Sequence, residues 1–208
     1  MIDLERLDER RIDVLKEVGV IGSGNAATSL SAMIGRRVNI SVPNALLLDR
    51  AALVREFGGP DEFLIGLPLI FDGDISGRFL FLLRESSARV IIEGLTGESL
   101  VDVGDLDEYF GSAVQEACNI MAASYVSAIA AFMDFEIHIT PPELHSGKAS
   151  DIFAAIPTDA DPDGKMIVIQ CEMEKKENDP RASCYVAMIP KGDSLAKILD
   201  KLSARVII

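Results

Sequence analysis

Residues 13–43 lie over residues 112–142 at a constant spacing of 99, without a gap. "DVLKEVGVIGSGNAATSLSAMIGRRVNISVP" then stands above "SAVQEACNIMAASYVSAIAAFMDFEIHITPP". Glu17 falls on Glu116 and Pro43 on Pro142, while Leu30, Val38 and Ile40 fall on Ile129, Ile137 and Ile139. Further on, 63–95 and 166–202 share an apolar pattern. A unit of about 100 residues is too long for a solenoid repeat, so the chain must fold as two pseudo-equivalent halves. Whatever sheet one half builds, the other must build as well.

Periodicity supplies the elements of each half. Ile12, Leu15 and Val18 recur at helical spacing, which predicts a helix over 9–19 that resumes over 25–34. A longer helix is expected over 107–132. Strands are expected at 37–42, 63–71, 77–84, 136–140, 166–173 and 182–189, and further helices at 86–95 and 193–202. The turn residues of "DGDISG" (72–77) join two strands as a hairpin, and "KKENDPR" (175–181) does the same in the second half. Short connections of this kind impose antiparallel pairing. The expected fold is α+β: an internally duplicated, pseudo-twofold antiparallel sheet covered by long helices.

"VGVIGSGNAAT" (18–28) contains G-x-G-x-x-A, the outline of a dinucleotide-binding turn. That fingerprint needs a strand before its glycines and an acid about 20 residues later. Here a helical pattern precedes it, and "RRVNISVPN" offers no acid at a strand end. The sister copy carries Met121, Ala122 and Ala123 where the first has Gly22, Ser23 and Gly24. Nucleotide binding is therefore not expected. The glycines are expected to break or kink the first helix, with Asn25 or Ser23 capping its restart.

Apolar residues make up 49% of the 208, enough for a substantial core. No uninterrupted apolar run reaches membrane-span length, and "MIDLERLDERR" has no apolar signal core, so a cytoplasmic protein with no membrane partner is expected. Thirty-three acids against 20 bases give a net charge of -13, which argues against nucleic acid. Cys118, Cys171 and Cys184 are odd in number and lack C-x-x-C spacing, and His138 and His145 have no ligand cluster beside them. Neither a disulfide framework nor a zinc site is expected. Asp72 and Asp74 in "DGDISG" could suggest a metal loop, but a hairpin turn explains them better.

Ser112, Glu116 and Asn119 stand at i, i+4 and i+7, one face of the long helix. Such a polar stripe is ordinarily a solvated face. The duplication changes its meaning, because the first copy keeps Asp13, Glu17 and Pro43 at the corresponding positions while putting Val20 where the second has Asn119. Solvent-facing positions drift after duplication unless something holds them.

The twice-occurring pattern [Asp or Ser]-x3-Glu-x2-Asn-x22-Pro resembles the CheC–CheX–FliY phosphatases of chemotaxis, and the similarity runs along the whole chain. The resemblance implies one CheC-like domain over 1–208, made of halves at about 9–99 and 107–205. It implies hydrolysis of the phosphoaspartate of the response regulator CheY. Asn119 would orient the attacking water and Glu116 would pair with a lysine of the regulator, while Ser112 and Pro142 shape the site. The first site (Asp13, Glu17, Val20, Pro43) would be degenerate, since valine cannot replace the amide. The chain would need no cofactor of its own, the Mg²⁺ belonging to the regulator. The other class of function is a non-enzymatic adaptor, either binding the receptor deamidase CheD or serving in the flagellar switch. For a switch component the family implies a further C-terminal domain and an N-terminal CheY-binding peptide. Neither is evident in a chain that ends at "LSARVII" and starts about ten residues before its first motif.

Overall fold

The structure is a computed structural model; it describes residues 9–98, 108–155, 165–174 and 182–205. The elements run α1 (Glu9–Ile34), β1 (Asn39–Leu48), α2 (Arg50–Glu56), β2 (Phe63–Gly73), β3 (Gly77–Arg84), α3 (Glu85–Thr96), α4 (Glu108–Met133), β4 (Ile137–Ile139), β5 (His145–Lys148), α5 (Ala149–Ala155), β6 (Met166–Glu174), β7 (Ala182–Pro190) and α6 (Ser194–Arg205). The expected hairpins β2–β3 and β6–β7 form in antiparallel register. The turn expected at "KKENDPR" lies outside the described residues.

One antiparallel sheet has the order β1-β6-β7-β3-β2-β4, with β5 continuing beside β2. Each half contributes a hairpin to the centre, and its first strand crosses to the outer edge of the other half's hairpin. β1 thus pairs with β6, and β4 and β5 pair with β2. Exchanging the halves reads the order backwards, which is the pseudo-twofold expected from the repeat. The likeness extends to irregularities. On β1, Ser41 faces Glu172 and Asn44 faces Gln170, leaving Val42 and Pro43 as a bulge. In the second half the Thr140 amide bonds the Ile70 carbonyl and the Glu143 amide bonds the Pro68 carbonyl, leaving Pro141 and Pro142 in the same bulge. Proline suits such a position because no ladder N–H is needed there. Gly35 ends α1 at φ 72°, and its counterpart Asp134 follows α4 at φ 55°, the one positive-φ non-glycine residue among those described.

The sheet is covered on both sides, which is why β3 reads "RFLFLLR", a continuous apolar run. Phe79, Phe81 and Leu83 join the larger core under α1, α3, α4 and α6. Leu80 and Leu82 meet Phe57, Ile152 and Phe153 beneath α2 and α5 on the other side. The short helices α2 and α5, which the periodicity missed, are themselves repeat partners at the spacing of 99.

One expectation is corrected: α1 is unbroken from Glu9 to Ile34. Asn25 caps nothing; its Nδ2 donates to the Ile21 carbonyl one turn back at 2.9 Å. Ser23 is buried, with its Oγ 3.3 Å from the Cys171 Sγ. The glycines are there for proximity. A Cβ at Gly22 would stand 2.6 Å from the Tyr125 ring on α4, and one at Gly19 would stand 2.8 Å from Ile169 on β6. Glycine in a helix interior costs about 1 kcal/mol against alanine, a penalty that close packing can offset without a break. Among the described helices, α4 is long and apolar enough by composition to cross a membrane. Its apolar side, from Val114 through Tyr125 to Met133, lies in the core of the domain.

Candidate functional site

The stripe of α4 opposite the core carries Ser112, Glu116 and Asn119. These three line an open depression of about 270 Å³ with Gln115, Pro141 and Pro142. Ser112 and Glu116 are exposed, Asn119 is half-buried and Pro142 is buried. The helix supplies the polar groups on a rigid axis, and the bulge between β4 and β5 supplies the facing wall. The expected second-site set is therefore assembled in one place from residues up to 30 positions apart.

Gln115 was not anticipated. Its Nε2 donates to the Pro142 carbonyl at 2.9 Å, tying the wall to the helix turn between Ser112 and Glu116. Comparing the halves hides it, because the first copy has Lys16 at this position. The only available signal was its place inside the motif, one residue before Glu116. A neutral hydrogen bond of this kind contributes about 1 kcal/mol, which is about fivefold in a rate if the wall must be held for reaction. Gln115→Ala is expected to lower the site's activity about fivefold, and Gln115→Lys, which keeps a donor, is expected to lose less. Steady-state rates of both variants at equal melting temperature check this.

In the first half, Asp13, Glu17 and Val20 lie exposed along α1, and Pro43 sits half-buried in the β1 bulge. Val20 is 52% exposed, an apolar side chain held out to solvent at the position of Asn119. The helix and the bulge thus recur in the first half, with Val20 in place of the amide.

The remaining candidates have structural places. The Asp74 carboxylate accepts from the Glu136 amide at 2.8 Å, and the Asp74 amide bonds the Glu136 carbonyl, clamping the β2–β3 turn to the start of β4. Asp72 pairs in register with His138 on β4. His138 is exposed beside Glu136, and His145 beside Glu143. All three cysteines are free and buried. Burial pushes the Cys118 thiol up to about 12, so it carries no thiolate at neutral pH although it adjoins Asn119 in sequence.

Residues 12–47 and 111–146, the two copies of the repeat, each match the CheC-like family. The CheY-P phosphatase CheC of Bacillus subtilis is 29% identical over 205 residues, covering 95% of this chain and 96% of the relative. The flagellar motor switch phosphatase FliY of the same organism is 28% identical over 167 residues, which span 80% of this chain but 43% of that longer protein. A crystal structure of Thermotoga maritima FliY superposes with a TM-score of 0.79 at 25% identity, covering 99% of this chain and all of the other. Fold, duplication and motif agree, and both copies of the repeat are similar to the CheC-like family. One of these relatives is named a CheY-P phosphatase and the other a flagellar motor switch phosphatase.

Proposed function

We propose that this chain hydrolyses the phosphoaspartate of a CheY-type response regulator at the α4 site alone. The observation that carries the reading is that Ser112, Glu116, Asn119 and Pro142 converge on one solvent-open depression. An acyl phosphate is already activated, so a positioned water and charge stabilisation suffice. The Asn119 carbonyl oxygen accepts a hydrogen bond from the attacking water, and its NH₂ donates to the phosphoryl group or its surroundings. The water oxygen bonds phosphorus, the phosphorus–carboxylate bond breaks, and the regulator's aspartate leaves as carboxylate. Glu116, exposed and acceptor-only as a carboxylate, pairs with a lysine of the regulator and sets the register in which Asn119 enters. Mg²⁺ is held on the regulator's side. Ser112 and Pro142 shape the depression.

The reading predicts an asymmetry between the halves. Phosphate release from purified phosphorylated regulator should accelerate when the protein is added. Glu116→Ala should lower that acceleration at least about tenfold through loss of a close interfacial charge pair, and Glu17→Ala should change it less than about twofold. Equal effects of the two substitutions would transfer the site, or half of it, to α1. No acceleration by the unsubstituted protein would refute the phosphatase reading. The second reading is a non-enzymatic adaptor of the chemotaxis or flagellar switch system, for example one that binds CheD. Capture of CheD or of a switch component by a chain that leaves phosphate release unchanged would establish that role instead.

A further inference from the structure

Tyr109 is 62% exposed, and it lies on the same stripe of α4 as the site. At about 100° per residue, Tyr109 projects within about 20° of Glu116 and within about 80° of Ser112 and Asn119. The core-facing residues Val114, Cys118, Met121 and Tyr125 occupy the opposite side. Along the axis, Tyr109 stands about 10 Å before Glu116 and about 15 Å before Asn119. Its ring meets the half-buried Phe110 edge-on, with centroids 5.4 Å apart. A large ring is thus propped at the outer end of a row that continues into the depression.

Isolated exposed apolar side chains are common and need no explanation. Val20 and Ile70 are the other large ones among the described residues, at 52% and 47% exposed. Tyr109 differs in its alignment with the polar groups and in its separation from them. A phosphoryl group engaging Asn119 cannot reach a ring about 15 Å away, whereas a folded domain covering the helix face can. Tyrosine is among the residues that anchor protein interfaces, because it buries a large rigid area at low entropic cost.

Building on the phosphatase reading, we propose that Tyr109 is a docking anchor that restricts the α4 site to a protein substrate. The ring packs against the surface of the phosphorylated regulator while Glu116 and Asn119 engage its phosphorylation pocket. The anchor therefore acts on recognition more than on the chemical step.

The test is steady-state phosphate release at varied concentrations of phosphorylated regulator, for the unsubstituted protein, Tyr109→Ala, Tyr109→Phe and Ile70→Ala. Ile70 is the control, an exposed apolar side chain lining a different depression with Arg78 and Lys191. The expected result is a rise in KM on the order of tenfold for Tyr109→Ala with the loss confined to KM, recovery in Tyr109→Phe, and no rise for Ile70→Ala. An unsubstituted protein that is active, with KM unchanged in Tyr109→Ala, overturns the anchor and leaves the phosphatase reading standing. An equal rise in Ile70→Ala also overturns it, because the effect would then belong to the surface at large. An unsubstituted protein that accelerates nothing removes both readings together.

Discussion

Asn119→Ala is expected to slow phosphate release from the phosphorylated regulator by at least about a hundredfold relative to the unsubstituted protein, a loss typical of removing one oriented polar group from a reacting centre. The basis is what an amide can do at that spot. A single planar group presents an acceptor and two donors, so one side chain can hold the water and touch the phosphoryl group together. Alanine offers neither, and the other side chains lining the depression are placed for other work: Ser112 lies two helical turns away, Glu116 is committed to acceptance alone, and the Gln115 amide is tied to the Pro142 carbonyl. The side chain is half-buried at the edge of the depression and forms no part of the core, so its removal should leave the melting temperature within a few degrees. Asn119→Val copies the first half's own residue and should lose as much. Activity equal to the unsubstituted protein in either variant would show that Asn119 does not orient the water.

The two halves were legible because their spacing never slips across the helix, the first strand and the bulge. Glu17 and Glu116, and Pro43 and Pro142, mark positions where the backbone repeats its hydrogen bonding as well as its residues. Strands β2, β3, β6 and β7 announced themselves as long apolar runs between turns. Helices α2 and α5 did not, because seven residues are too few for a 3.6-residue period to be recognised. Their partnership rests on Leu53 and Ile152, two residues in the second core. The exchange of first strands between the halves was likewise invisible. A repeat requires equivalent environments, but it does not say whether β1 pairs with its own hairpin or its sister's. Within the site, the residues kept or conspicuously lost between copies could be found by comparison. Gln115 could not, since its counterpart Lys16 is a different residue type and nothing in the comparison marks the position.

The glycines of α1 taught the reverse lesson, and they yield the sharpest test of the fold. Gly22→Ala and Gly24→Ala place the same methyl group two residues apart in one helix, so intrinsic propensity predicts a gain of about 1 kcal/mol for each. A Cβ at Gly24 would meet nothing within 4 Å, and that gain should be realised. At Gly22 the methyl would overlap three atoms of the Tyr125 ring, the nearest at 2.6 Å. The ring cannot step aside: it is 2% exposed and stands edge-on to both Phe79 and Phe81, at 6.4 and 5.9 Å between centroids. Overpacking of this kind costs about 1–3 kcal/mol, so against a propensity gain of about 1 kcal/mol Gly22→Ala should be destabilised by up to about 2 kcal/mol. Urea midpoints moving in opposite directions at unchanged slope would confirm the pair. Equal upward shifts would mean that α1 and α4 are not held at this distance. The consequence reaches the site. Tyr125 lies six residues, about 9 Å, along α4 from Asn119, so relieving the overlap means moving the helix that carries Glu116 and Asn119. Gly22→Ala should therefore also lower phosphate release, where Gly24→Ala should not. On the proposed phosphatase reading, the first copy would act on catalysis by fixing where the second copy's helix stands.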